Sequence, residues 1–168
     1  MKTFGKWGPD YNITIKMKLV QSAHGSKPNS LIHLTRGEDH RRHGDRIPAV
    51  FLKGKEVWVY ITNYRGHTEG EYNYGKKYEH TLILNQWQTL QLNQKQTGFG
   101  TETYVFEFLV DGSLKWSQNT LNKQYQNIKQ FQSDPWYDSA ERFVEVKHIS
   151  IWNGAGELTF LRQQLWSR

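Results

Sequence analysis

The residues from Tyr11 to Val20 constrain the fold most, because Tyr11, Ile13, Ile15, Met17 and Leu19 alternate with Asn12, Thr14, Lys16 and Lys18. A period of two sustained over this length predicts a strand with one buried face and one wet face. Further strands follow it: Leu31 to Thr35, Ile47 to Leu52 and, across a tight turn at Lys53-Gly54-Lys55, Glu56 to Thr62. Two more, His80 to Leu84 and Trp87 to Gln94, flank Asn85-Gln86, and Thr103 to Val110 turns at Asp111-Gly112 directly into Ser113 to Ser117. Tyr125 to Gln132 is a weaker strand, ended by Ser133-Asp134-Pro135 because proline restricts its own φ and the residue before it. In Phe143 to Trp152 the apolar parity shifts from Val144 and Val146 to Ile149 and Ile151, which predicts a bulge at Lys147 or His148. The tail from Gly154 to Arg168 reads either as a last strand through LTFL or as a short helix.

No segment carries a sustained helical period, and no internal repeat points to a propeller or solenoid. The expectation is an all-β fold, a two-sheet antiparallel jelly-roll sandwich of about ten to twelve strands with little or no helix. The 168 residues show no linker or composition shift and read as a single domain spanning residues 1–168. Seven tryptophans, nine tyrosines and eight phenylalanines supply too much large apolar surface for a disordered chain.

Between Leu34 and Ile47 lies a charged loop holding Arg36, Glu38, Asp39, Arg41, Arg42, Asp45 and Arg46. So many charges cannot be buried together, so the loop is expected at a binding edge of the scaffold. Within it Asp39 and Asp45 offer oxygen ligands to a hard cation such as calcium, but four arginines from Arg36 to Arg46 would repel a metal and favour a self-neutralised loop. No cofactor is expected, with calcium the one candidate ion. The net charge of +6 favours acidic glycans, anionic surfaces or nucleic acid as partners, against a merely soluble basic surface.

The absence of cysteine removes disulfides, thiolate metal sites and cysteine nucleophiles. No apolar run reaches membrane-spanning length, and Met1-Lys2-Thr3-Phe4-Gly5 is no signal peptide. The Asn12-Ile13-Thr14 sequon is compatible with secretion, though such sequons are common by chance. No serine elbow, phosphate cradle or paired-carboxylate strand is readable, so a non-enzymatic module is expected over an enzyme.

If Val57, Val59 and Ile61 face the core, Trp58 and Tyr60 must share the opposite face of their sheet. Exposed neighbouring aromatics suit stacking on pyranose rings; the rival reading is a small second core covered by a loop such as Tyr64 to Tyr78. The expected ligand surface combines Trp58 and Tyr60 with His33 of the Leu31 strand, with Arg41 and Arg42, and with Tyr64, Arg65, Tyr72 and Tyr74 of the loop from Tyr64 to Tyr78.

The ordered set SLIHLT, GDRIPAVF, the strand led by Trp87, VDGSLKWSQNT, SDPWYDS and VKHISIWNG resembles animal extracellular domains of the concanavalin A-like lectin/glucanase superfamily, close to laminin G and pentraxin-like jelly rolls. The resemblance is strongest over residues 4–154. It implies an extracellular lectin-like module that binds glycans or proteins, often with calcium. The galectin motif, the glucanase carboxylate run and the laminin G cysteine pair are absent. Protein adhesion is the alternative, a polysaccharide lyase or hydrolase on the same fold the second; nucleic-acid binding is set aside for want of its aromatic and basic motifs.

Overall fold

The computed structural model describes residues 2–36, 46–61, 76–97, 104–120, 125–131, 136–154 and 158–161. Twelve strands run in order: β1 (Lys2–Trp7), β2 (Tyr11–Leu19), β3 (Asn29–Thr35), β4 (Ala49–Lys53), β5 (Glu56–Ile61), β6 (Lys76–Thr81), β7 (Trp87–Gln96), β8 (Tyr104–Val110), β9 (Ser113–Thr120), β10 (Tyr125–Phe131), β11 (Val144–Asn153) and β12 (Leu158–Leu161). They form two six-stranded antiparallel sheets, ordered β1-β10-β3-β4-β5-β6 and β12-β11-β2-β7-β8-β9. The fold is the all-β jelly-roll sandwich that the alternation predicts, with one 3₁₀ turn, Glu141–Phe143, among the described residues.

The odd-numbered residues of β2 meet the odd-numbered residues of β5 across the sandwich core. Ile13, Ile15, Met17 and Leu19 of one sheet and Val57, Val59 and Ile61 of the other are almost wholly inaccessible. Phe106 and Phe108 of β8 complete this layer. Burial of such side chains contributes about 1.5–3 kcal/mol each and fixes the register, since a one-residue slip would turn every one of them to solvent. In β11 the pairing with β2 shifts between Val146 and His148, so the extra residue is Lys147, as the parity change requires. Asp111 and Gly112 adopt φ of 50° and 77°, and the Asp111 carboxylate accepts the Thr89 N–H at 2.7 Å, which ties the β8–β9 turn to β7.

Two strands, β1 and β6, differ from the sequence reading. Residues 2–7 form a strand, β1, paired with β10, where the short run KTFGKW shows no alternation of its own. The sixth strand is Lys76–Thr81 rather than His80 to Leu84, because Tyr78 pairs opposite Val59 while Leu82 to Gln86 form the turn. Of the two readings of the tail, the strand through LTFL is the one found, at Leu158–Leu161 and paired with β11. At the open side of the sandwich Tyr78 of β6 stacks on Trp116 of β9 with centroids 5.7 Å apart and planes at 10°.

His80 lies beside this stack with its ring 6.4 Å from Phe108. Its pKa is held below the ordinary histidine value, chiefly by burial, then by the Lys115 cation, with Asp111 opposing. A folded-state pKa below the unfolded one means that the unfolded chain binds the proton more readily. Stability is therefore expected to fall as pH drops through the ordinary histidine range, and His80→Gln should flatten that part of the pH profile. Urea midpoints taken between pH 7.5 and 5 check this, and an unchanged slope in the variant would refute it.

Candidate functional site

Trp58 and Tyr60 lie, as alternation demands, on the face of β5 opposite Val57 and Val59, and both are half-buried. Their neighbours form a second apolar layer on the outside of this sheet. Phe51 of β4 is 1% accessible yet belongs to no part of the inner core, because it shares the outer face with Trp58. Its ring is 5.7 Å from Tyr60, 5.8 Å from His33 and 4.6 Å from Tyr137, and the His33 ring lies 5.7 Å from Trp136.

The cover over this layer is the segment Trp136 to Ala140. Its backbone is fixed to the start of β3, where Ser30 donates its N–H to the Asp138 carbonyl and accepts from the Ala140 N–H, at 2.7 and 2.9 Å. Two further backbone bonds, between Ile47 and Leu34 and between Leu34 and Pro48, close the base of the β3–β4 connection and hold Arg46 there. The Arg46 guanidinium sits 4.4 Å over the Tyr60 ring and 5.5 Å from that of Phe51, and its Nη2 donates to the Tyr137 hydroxyl at 3.0 Å. A cation seated on aromatic faces and held by a hydrogen bond is oriented before any ligand arrives. The other end of the face is acidic: Trp58 Nε1 donates to Glu56 Oε2 at 2.9 Å, and Glu79 lies opposite Trp58 in the register.

Of the residues expected at the site, Trp58 and Tyr60 are thus brought together with a cation. His33 is on the same face but fully buried, so it packs the layer and does not reach its surface. Arg41, Arg42, Tyr64, Arg65, Tyr72 and Tyr74, with the candidate metal ligands Asp39 and Asp45, lie outside the described residues. Among the described residues no group of three His, Asp or Glu side chains could hold a metal ion. The sequence reading missed Arg46 as the partner of Tyr60, and Trp136 and Tyr137 as the rings that pack on His33 and Phe51. Trp136 and Tyr137 were visible only as a proline-led break, and their return to β3 is a long-range contact that no local pattern reports.

The opposite sheet has a different outer face. Asn12, Thr14, Lys16 and Lys18 of β2 stand between the outward residues of β11 and β7, and Trp152 and Trp87 are 45% and 37% accessible. The Asn12 of the sequon thus lies within a central strand, its side-chain amide bonded to Asn93.

No family model and no curated protein matches the chain. Among solved structures, the binding domain of botulinum neurotoxin serotype G is similar in fold with a TM-score of 0.54 at 14% identity, over 89% of this chain and 34% of that one. The serotype D binding domain gives 0.52 at 9% identity, over 96% and 34%. Sheep galectin-11 in complex with glycerol gives 0.44 at 11%, over 90% and 95%. The chain therefore spans about a third of the length of the neurotoxin chains it matches. What the two neurotoxin likenesses show is the fold alone.

Proposed function

We propose that this chain is a non-enzymatic, lectin-like binding module that works outside the cell as one domain and takes an acidic or sulfated glycan on the outer face of the β3–β4–β5 sheet. The observation that carries the reading is the Arg46 guanidinium, stacked on Tyr60 and tied to Tyr137 beside the half-buried Trp58. Flat apolar rings beside an oriented cation offer both things such a ligand needs: a surface for a pyranose ring and a fork for a carboxylate or sulfate. Because Glu56 and Glu79 flank Trp58, the anionic group belongs at the Arg46 end and the sugar ring over Trp58. Arg41, Arg42, Arg65 and the loop tyrosines Tyr64, Tyr72 and Tyr74 would extend this edge, and a calcium ion at Asp39 and Asp45 would serve the same group. The neurotoxin chains of similar fold are the binding domains of their toxins, which fits a role without turnover. Kinship with laminin G or pentraxin-like domains forms part of this proposal, on the residues quoted for it above.

The test is a glycan array of uronic-acid and sulfated oligosaccharides at low and moderate salt, with a protein pull-down and an assay for new reducing ends or unsaturated products beside it. Binding is expected to weaken about tenfold in Trp58→Ala with the fold intact. An array without signal alongside a clear protein partner would move the function to adhesion, and turnover of a polysaccharide would make the chain an enzyme.

A further inference from the structure

We infer that the outer face of the β11–β2–β7 sheet is a second binding surface, separate from the one above, and that its ligand is a neutral oligosaccharide. This rests on observations independent of Arg46 and Trp58.

The register sets the pattern. Trp152, Asn12 and Asn93 share one row across the three strands; Ser150, Thr14 and Gln91 share the next; then come His148, Lys16 and Thr89, and finally Glu145, Lys18 and Trp87. The two accessible indoles therefore stand at diagonal corners of a strip of amides and hydroxyls. Six residues of β2 separate their rows, a length of about 20 Å at the rise of a strand, and two strand spacings separate them sideways, about 10 Å. Several pyranose rings in line would span that diagonal, with an indole under each end.

The polar groups between the indoles are organised. Thr14 Oγ1 donates to Asn12 Oδ1 at 3.1 Å, and the Asn12 amide nitrogen donates to Asn93 Oδ1. That chain of donation fixes the amide orientations and leaves the Asn93 amide nitrogen as a donor without a partner among the described residues. The same holds for the side chains of Gln91, Ser150 and Lys16. The amides and the serine hydroxyl, half-exposed and able both to donate and to accept, match a ligand rich in hydroxyls, and the exposed Lys16 adds a donor.

Charge decides the class of glycan. The Lys18 ammonium is 2.8 Å from Glu145 and 5.3 Å from the Trp87 ring centroid, and that of Lys95, past Asn93 at the other end of the strip, is 3.2 Å from Glu107. With Lys18 and Lys95 matched by carboxylates, Lys16 is, among the described residues, the one unmatched lysine of these rows, and a single solvated ammonium is no basic cluster to attract a polyanion. A protein partner fits less well, because the rows between the indoles lack the apolar centre that protein interfaces bury. Leu109 and Leu114 flank the strip on the β8–β9 side and leave its middle polar.

The experiment titrates the whole chain with neutral hexasaccharides of glucose (β-1,4, β-1,3 and α-1,4), mannose and N-acetylglucosamine, following heat by calorimetry and indole fluorescence. At least one is expected to bind and to quench tryptophan emission, with affinity cut about tenfold in Trp152→Ala and in Trp87→Ala, and nearly unchanged in Trp58→Ala. Both substitutions are at accessible positions, and an unaltered melting temperature confirms that the fold survives; Gln91→Ala, which removes no packed ring, gives a second reading. The inference is overturned if none of these hexasaccharides binds, if binding survives both tryptophan substitutions, if only sulfated or uronic chains compete for the strip, or if a protein is what the two substitutions release. Loss of binding to acidic glycans in Trp58→Ala alone bears on the other face and leaves this one standing.

Discussion

Phe51→Ala is expected to lower the stability of the fold by about 3–5 kcal/mol, as much as removing a phenylalanine from the middle of the sandwich. The reason is its position on the outside of a sheet that has been roofed over. Phe51 is 1% accessible and touches His33, Tyr60 and Tyr137, and the Arg46 guanidinium lies over it. Truncation would leave a cavity bounded on one side by β-sheet backbone and on the other by the segment Trp136 to Ala140, itself held by two backbone bonds to Ser30. Neither wall can collapse freely, which puts the cost toward the upper end for such substitutions. For a chain of this size the melting temperature should fall by about 10 °C or more. Phe51→Leu, which keeps most of the volume, should lose about 1.5 kcal/mol or less. If Phe51→Ala costs under about 1 kcal/mol, the outer layer is not a packed core and the account of Arg46 as a positioned cation fails with it.

Sheet architecture is legible in this sequence wherever a strand has one wet face. The β2 alternation, the Asp111-Gly112 turn and the parity change at Lys147 each follow from a local rule, and each is found where the residues put it. β1 and β6 were not legible, because KTFGKW and KKYEHT carry little apolar pattern and gain strand geometry from pairing with β10 and β5. The second apolar layer was half-legible. Parity put Trp58 and Tyr60 on one outward face, and a small covered core was one of the two readings of that face. The cover is Trp136 to Ala140, far away in sequence, and β4 gave no hint that Phe51 would be sealed, since a strand buried on both faces reads only as a run of apolar residues. His33 shows the same limit: as a lone strand histidine it looked available, whereas the Phe51 and Trp136 rings enclose it.

The functional consequence of that covered layer is carried by Arg46, and Arg46→Ala is expected to weaken binding of a sulfated hexasaccharide by about tenfold to a hundredfold, the range for losing a hydrogen bond to a charged group. Most cationic side chains on a basic loop lose rotamer freedom when they engage an anion, which offsets part of the gain. Arg46 has already lost it, to the Tyr60 ring at 4.4 Å and the Tyr137 hydroxyl at 3.0 Å. Lysine keeps the charge but neither the planar stack nor the fork, so Arg46→Lys should bind nearly as poorly as Arg46→Ala. Arg41→Ala and Arg42→Ala should act differently, through an affinity that recovers little with added ligand structure and fades with salt. Calorimetry at two ionic strengths separates the cases. The stability cost of Arg46→Ala should stay near 1 kcal/mol, because the stack is half-buried and the ring layer beneath it remains. If Arg46→Lys binds as well as the native chain, charge alone sufficed and the stacked geometry has no part in recognition.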